Sequence, residues 1–231
     1  MNRSEINTIL QETDAFIRSF GFALPPFAHL SPADLRAEGH TEIFRRRLGW
    51  DVTDYGGGDF GAMGLALFTL RNGRVEDLAA GRGMLYAEKL LISRRDQLSP
   101  MHRHMLKAED IINRGGGTLV IELFAAAPDG SRDFDASVTV ICDGLPRTLP
   151  AGGKLALGVG ESVTLMPGDW HAFWAEGADC LIGEVSTVND DETDNRFDPP
   201  LPRFAEVTED EAPWRLLVSD YPAILQGAAK T

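Results

Sequence analysis

Three histidines and one glutamate carry the chemistry that this sequence offers most openly. In Pro100-Met101-His102-Arg103-His104-Met105-Leu106-Lys107-Ala108-Glu109, His102 and His104 stand two residues apart. On a β-strand that spacing sends both imidazoles to one face and Arg103 to the other. Glu109, five residues after His104, lies far enough along to return on the next turn or strand and add a carboxylate oxygen. In Pro167-Gly168-Asp169-Trp170-His171 a Pro-Gly turn delivers a further histidine to the start of another strand. Three neutral imidazoles and a carboxylate form a mixed nitrogen and oxygen donor set for one divalent cation. Mn, Fe, Co, Ni and Zn all accept such donors, and donor type alone does not choose among them. The set leaves one or two positions for water or substrate, which favours catalysis over a purely structural ion. A lone histidine is more often a surface or core residue than a ligand. Here, however, three of the five histidines fall in these two segments. His29 and His40 lie outside them and read as structural or surface residues.

Those side chains need strands to hold them. Beyond Trp50, Gly-rich turns such as Gly56-Gly57-Gly58, Asn72-Gly73 and Gly115-Gly116-Gly117 separate short apolar runs with little helical periodicity. Strands are expected over Leu65–Arg71, Leu85–Arg94, Thr118–Phe124, Ser137–Cys142, Leu145–Leu149, Ser162–Met166, His171–Trp174 and Leu181–Thr187. Asp143-Gly144 is a hairpin signal between two of them. Many short strands bounded by turns imply an all-β fold, an antiparallel sandwich or small barrel. A helical segment precedes it. Ile6, Ile9, Leu10, Phe16, Ile17 and Phe20 recur at helical spacing up to Gly21, and Ser31-Pro32-Ala33-Asp34 reads as the capped start of a short second helix. We therefore expect residues 1–50 as an N-terminal helical segment packed on a barrel of residues 51–231, in one domain overall. Asn189 to Glu211 is acidic and proline-rich. The aromatics and aliphatics within and after it (Phe197, Phe204, Trp214, Leu216, Leu217, Tyr221) argue for an ordered loop over the barrel mouth.

Composition narrows the partners. A net charge of −13 gives no basic face to displace counterions from a phosphate backbone, so nucleic acid is not expected as a partner. No stretch reaches the roughly 20 apolar residues of a membrane span, and the N-terminus has no continuous apolar signal-like core. The two cysteines, Cys142 and Cys180, sit in apolar runs and read as buried thiols. A cytoplasmic protein is expected.

The motifs also resemble a known family. His102-Arg103-His104, Glu109 and Gly116 are similar to the first cupin motif, and Pro167-Gly168 with His171 resembles the second. Asp96 stands where cupins usually place a glycine, and the asparagine that often follows the last histidine is lacking. A narrower likeness lies in Glu88-Lys89-Leu90, in Glu109-Asp110-Ile111-Ile112-Asn113-Arg114-Gly115-Gly116-Gly117, and in Gly183-Glu184-Val185-Ser186-Thr187-Val188-Asn189-Asp190-Asp191 with Asp194-Asn195. These resemble the D-lyxose isomerases within the cupins, from about Tyr86 to Tyr221. The resemblance implies a cupin jelly roll and a Mn-preferring sugar ketol-isomerase. Its substrates would be D-lyxose and D-xylulose, often with D-mannose and D-fructose, and its state a homodimer.

Such a reaction needs an electrophile for an enediolate, a base for the C2 proton and a donor for the oxygens. Lys89, in an apolar strand, is expected to bind substrate or donate the proton. Strand parity decides whether it or Glu88 faces inward. Glu206 is expected as the base, and Asp190 as the residue that orients sugar hydroxyls. Trp170, Phe173 and Trp174 offer a stacking surface, although alternation must send at least one of them into the core. Two other functions use the same residues: a non-catalytic sugar-binding or sensing cupin, and an Fe(II) dioxygenase.

Overall fold

The computed structural model describes residues 1–37 and 39–228. Helix α1, Arg3–Ser19, forms where the sequence pattern requires, with Ile6, Ile9, Leu10 and Ile17 buried on one face. Ser31 caps α2, Pro32–Leu35, by accepting the Asp34 amide at 3.1 Å. A third short helix, α3 (Thr41–Arg45), leads into the strands.

The strands run in chain order β1 (Gly49–Thr53), β2 (Leu65–Asn72), β3 (Tyr86–Ser93), β4 (Ser99–His104), β5 (Glu109–Ala126), β6 (Arg132–Asp133), β7 (Val138–Cys142), β8 (Leu145–Leu149), β9 (Gly153–Leu157), β10 (Ser162–Leu165), β11 (Trp170–Thr187) and β12 (Asn195–Phe197). Helix α4, Val75–Ala79, joins β2 to β3, and α5, Tyr221–Ala228, closes the described chain. All strand pairings between these elements are antiparallel, and two rows share β5 and β11. The longer row is β1-β2-β3-β11-β5-β10-β7-β8. In the shorter row β12 pairs with β4, β4 with the start of β11, and the far end of β5 with β9. This is the all-β jelly roll with an N-terminal helix that the sequence led us to expect.

The Gly115-Gly116-Gly117 run does not separate strands. It is a bend inside the continuous β5, and β11 likewise runs unbroken where two strands were expected. Their registers shift against each other between Glu176 and Cys180, and again between Leu181 and Ile182. At Gly116 the backbone has φ +97°, and an added Cβ would stand 2.0 Å from the carbonyl oxygen of Asp179. The Asn113 side chain fixes the bend, accepting the Gly115 amide and donating to the carbonyls of Gly117 and Leu157. Bending lets one strand serve both rows, so that residues at its two ends face each other across a single interior. Asp143-Gly144 makes the expected hairpin, with φ +48° and +83°.

Between the rows lies a core of Leu65, Leu67, Leu91, Ile111, Leu119, Ile121, Leu123, Phe173 and Ile182. On the outer face of β1–β3, Trp50, Val52, Ala66, Phe68, Leu90 and Ile92 are covered by α1. Polar anchors fix that helix to the C-terminal segment. Asn7 accepts the Trp214 amide and donates to the Ala212 carbonyl, while buried Arg3 meets Glu209 and Asp220. Cys142 and Cys180 are buried and unbridged, and burial pushes the Cys180 thiol up to about 12. Among the described residues no helix is long and apolar enough to cross a membrane.

Gly116→Ala is expected to lower unfolding free energy on the order of 3 kcal/mol, from left-handed strain and collision with backbone. A urea titration followed by tryptophan fluorescence measures it, and an unchanged midpoint would remove the bend as a structural requirement.

Candidate active site

His102 and His104 lie on β4, and His171 pairs directly with His102 from the adjoining β11. One ring nitrogen from each of the three lies within 4.8 Å of the others, and the rings are buried among β4, β11 and the start of β5. The tautomers of two of them, as neutral rings, follow from the backbone. His102 Nδ1 is 2.8 Å from the Pro100 carbonyl, and His171 Nδ1 is 3.0 Å from the Asp169 carbonyl. A carbonyl only accepts, so each Nδ1 carries the hydrogen and each Nε2 keeps its lone pair. Burial first, and then the neighbouring imidazoles, hold His102 well below its usual range; burial and Lys107 lower His104. Both are therefore neutral ligands near pH 7.

Glu109 comes from the opposite row. Its Oε1 lies 3.2 Å from Nε2 of His104 and 3.2 Å from Nε2 of His171, yet it is buried without a hydrogen-bond partner. A carboxylate oxygen facing the lone pair of the His171 imidazole at that distance is repulsive unless a cation joins them. The separation suits donors that share one divalent ion at roughly 2.1 Å each. The residues fit such an ion, and a metal site is the arrangement's simplest chemical meaning.

From Glu109 a line of alternating charge runs along the cleft. Glu109 Oε2 meets Lys107 Nζ at 2.6 Å, and Lys107 meets Glu184 Oε1 at 2.9 Å. Lys89 follows at 3.5 Å from Glu184, then Asp191 at 3.8 Å from Lys89. Arg203 Nε is 3.3 Å from Asp191, and Arg203 Nη2 is 2.9 Å from Asp51. Lys89 and Lys107 are each 3% exposed, so these are interior charges. Burial alone would raise the Glu109 and Glu184 carboxyls. For Glu109, Lys107 outweighs burial; for Glu184, Lys107 and Lys89 do, and both stay ionised. Burial would lower Lys107, but Glu109 and Glu184 hold it above its usual range.

The cleft is narrow, with a cavity volume of about 40 Å³, and is lined further by Leu65, Leu67, Leu91, Phe173, Phe197 and Tyr55. Asp194 shapes its rim from below. Its carboxylate accepts the amides of Met105 and Leu106 on Oδ1 and of Lys107 on Oδ2, which fixes the turn between His104 and Glu109.

Of the residues singled out from sequence, the structure brings together His102, His104, Glu109, His171 and Lys89. Lys89 shares its strand face with Leu91, while Glu88 turns outward to pair with Arg71. It does not bring Glu206 or Asp190. Glu206 is exposed, with its carbonyl bound to the N-terminal amine, and Asp190 caps the turn to Glu192 and Thr193 away from the cleft. The acidic loop does cover the cleft, but with the next residue, Asp191, and with Phe197 and Arg203. Phe173 lines the cleft, Trp170 packs with Met101 and Phe124, and Trp174 bonds Glu176. Sequence reasoning missed Lys107, Glu184, Asp191 and Arg203. A signal existed for two of them: Lys107 stands at strand spacing from Glu109, and Glu184 interrupts an apolar run as Lys89 does.

Residues 1–221 match the D-lyxose isomerase family. The chain is 48% identical to the D-lyxose/D-mannose isomerase of Serratia proteamaculans over 228 residues, covering 96% of this chain and 98% of that one. It is 46% identical to the protein of the same name from Escherichia coli O157:H7, with the same coverage. Among solved structures, the L-ribose isomerase of Geodermatophilus obscurus shares the fold at TM-score 0.61 and 15% identity, covering 90% of this chain and 98% of that one. The L-ribose isomerase of Cellulomonas parahominis with L-ribose does so at TM-score 0.57 and 16% identity, with the same coverage.

His171→Ala is expected to abolish stoichiometric retention of a divalent cation after chelator stripping and add-back. Asp194→Ala is expected to weaken it about 10- to 100-fold, as loss of an outer support does. Competition with a chelating dye measures both, and unchanged affinity in the His171 variant would dismiss the site.

Proposed function

The chain belongs to the D-lyxose isomerase family, and from that premise we propose that it interconverts D-lyxose with D-xylulose, and D-mannose with D-fructose. In this reading it works in the cytoplasm as a homodimer with Mn as its resident cation. One observation carries the proposal: the four-donor centre opens onto the same cleft as two buried lysines flanking Glu184. A sugar-sensing protein would need the donors but not that acid and those lysines.

Turning an aldose into a ketose breaks C2–H and forms C1–H, while O2 gives up a proton and O1 gains one. His102, His104, Glu109 and His171 would hold the cation, which supplies electrophilic stabilisation where negative charge gathers on the sugar oxygens. The protein must supply the proton carriers. Glu184 fits the carbon-bound proton best. Its contacts with Lys107, Ser186 and Lys89 all fall on Oε1, which leaves Oε2 to take the C2 proton and return it to C1. Both Asp191 oxygens are engaged, one by Arg203 and one by Asn189, and Asp51 is tied to Arg203 and to the Val52 amide. Lys89 serves the oxygens. Lys107 is held closely between Glu109 and Glu184, whereas Lys89 makes its one short bond to Asn189 Oδ1, at 2.6 Å, and has donors to spare for O1 and O2. The aliphatic wall of Leu65, Leu67 and Leu91 limits water beside the reacting carbons.

Glu184→Gln is expected to lower kcat about 10²- to 10⁴-fold with the cation retained, whereas Glu206→Gln keeps its turnover. Full turnover in Glu184→Gln would remove it as proton carrier. On a sugar panel after chelator stripping and metal add-back, D-lyxose with Mn should give the greatest rate. Transfer through Glu184 should also place solvent deuterium on product carbon in D₂O, and complete retention of the substrate's C2 hydrogen would point to a hydride shift instead.

A further inference from the structure

Arg203 is built into the cleft in a way that tethering alone does not explain. It belongs to the strap that follows β12 and crosses the barrel mouth. Its Nη2 donates to Asp51 on β1 and its Nε to Asp191 on the acidic loop, so two edges of its guanidinium are engaged. Its carbon centre lies 5.0 Å from the Phe204 ring. The remaining terminal nitrogen, Nη1, is buried and has no hydrogen-bond partner, although Arg203 lines the cleft. A charged donor removed from water and left unpaired is costly, and most such groups have a partner in the working state. Arg203 also stands far along the line of charges from Glu109, with Lys107, Glu184, Lys89 and Asp191 between them. The four donors and Arg203 line one cleft, so a sugar with C1 and C2 at the cation centre has its other hydroxyls left to meet the rest of that lining, Arg203 included.

We propose that Arg203 is a substrate-binding residue whose Nη1 donates to a sugar hydroxyl beyond C2, so that the guanidinium fastening the strap also reads the tail of the substrate. This rests on the isomerase reading above. The guanidinium gives the strap a reason to carry a cation into an already crowded interior. A lysine could neutralise Asp51 and Asp191, but it has no planar fork with a third edge to offer.

The test compares wild type, Arg203→Met and Arg203→Lys, all Mn-loaded, on D-lyxose and its 3-, 4- and 5-deoxy analogues. In wild type one deoxy sugar should lose about 10- to 100-fold in kcat/KM, the penalty for stranding a charged donor. Both variants should retain the cation and lose a similar factor on D-lyxose, mainly through KM. In them that deoxy sugar should be no worse than D-lyxose itself. Equal deoxy penalties in wild type and variants would overturn the proposal and leave Arg203 as a strut. Should neither variant fold, the wild-type panel decides, since the absence of a deoxy penalty at every position overturns it too. Failure of the isomerase reading looks different: wild type would not turn over D-lyxose at all. Calorimetric binding of the same sugars would then judge Arg203 by itself.

Discussion

Everything in the cleft depends on keeping buried charge in alternating order. Glu109, Lys107, Glu184, Lys89, Asp191, Arg203 and Asp51 each meet a neighbour of opposite sign, and most are nearly inaccessible to water. A single ion in such surroundings would neutralise itself or unfold the region, and removing one partner from a buried pair commonly costs several kcal/mol. The line resolves this by contact, and it sets how much freedom each group retains. Lys107 sits closely between two carboxylates, Lys89 more loosely, and Glu184 has its contacts gathered on one oxygen. Chemical roles follow from those differences. Asp191 and Asp51, with their oxygens engaged, hold other groups in place.

The scaffold makes the line possible by bringing two rows of strands over one interior. The imidazoles arrive on β4 and the first part of β11, whereas Glu109 and Glu184 arrive on the first part of β5 and the last part of β11. No flat sheet could face these residues toward one another. The bend at Gly116, clamped by Asn113, turns two long strands into opposing walls. Helix α1 and the C-terminal segment then cover the outside of β1–β3, including the strand that carries Lys89.

What could be read from the sequence tracks what is local. His102 and His104 announce themselves because strand alternation fixes their common face, and the Pro-Gly turn announces His171. The helix periodicity and the Asp143-Gly144 hairpin are legible for the same reason. Parity was not legible. Only the pairing of Lys89 with Glu184 across β3 and β11 shows that Lys89, and not Glu88, faces inward. The acidic loop was rightly seen as a cover, but which of its acids turns inward depends on long-range partners. Asp191 meets Arg203 and Lys89, while its neighbour Asp190 caps a local turn. Glu206 stood out as an acid on the loop expected over the barrel mouth, yet the strap turns Arg203 in and leaves the glutamate out. The glycine run was taken for a turn because glycine marks turns and bends alike, and only the partner strand distinguishes them.

Strand β11 carries His171 near one end and Glu184 near the other, so one stretch of backbone determines the relative position of cation and acid. Side chains alternate faces, so a one-residue insertion between them would turn either the ligand or the acid outward unless a second change restored parity. Related sequences should therefore vary in length at the β7–β8 hairpin and the helical connections while keeping the His171-to-Glu184 interval fixed. The spacing thus acts as a ruler built into one strand, set by the number of residues and not by their identity.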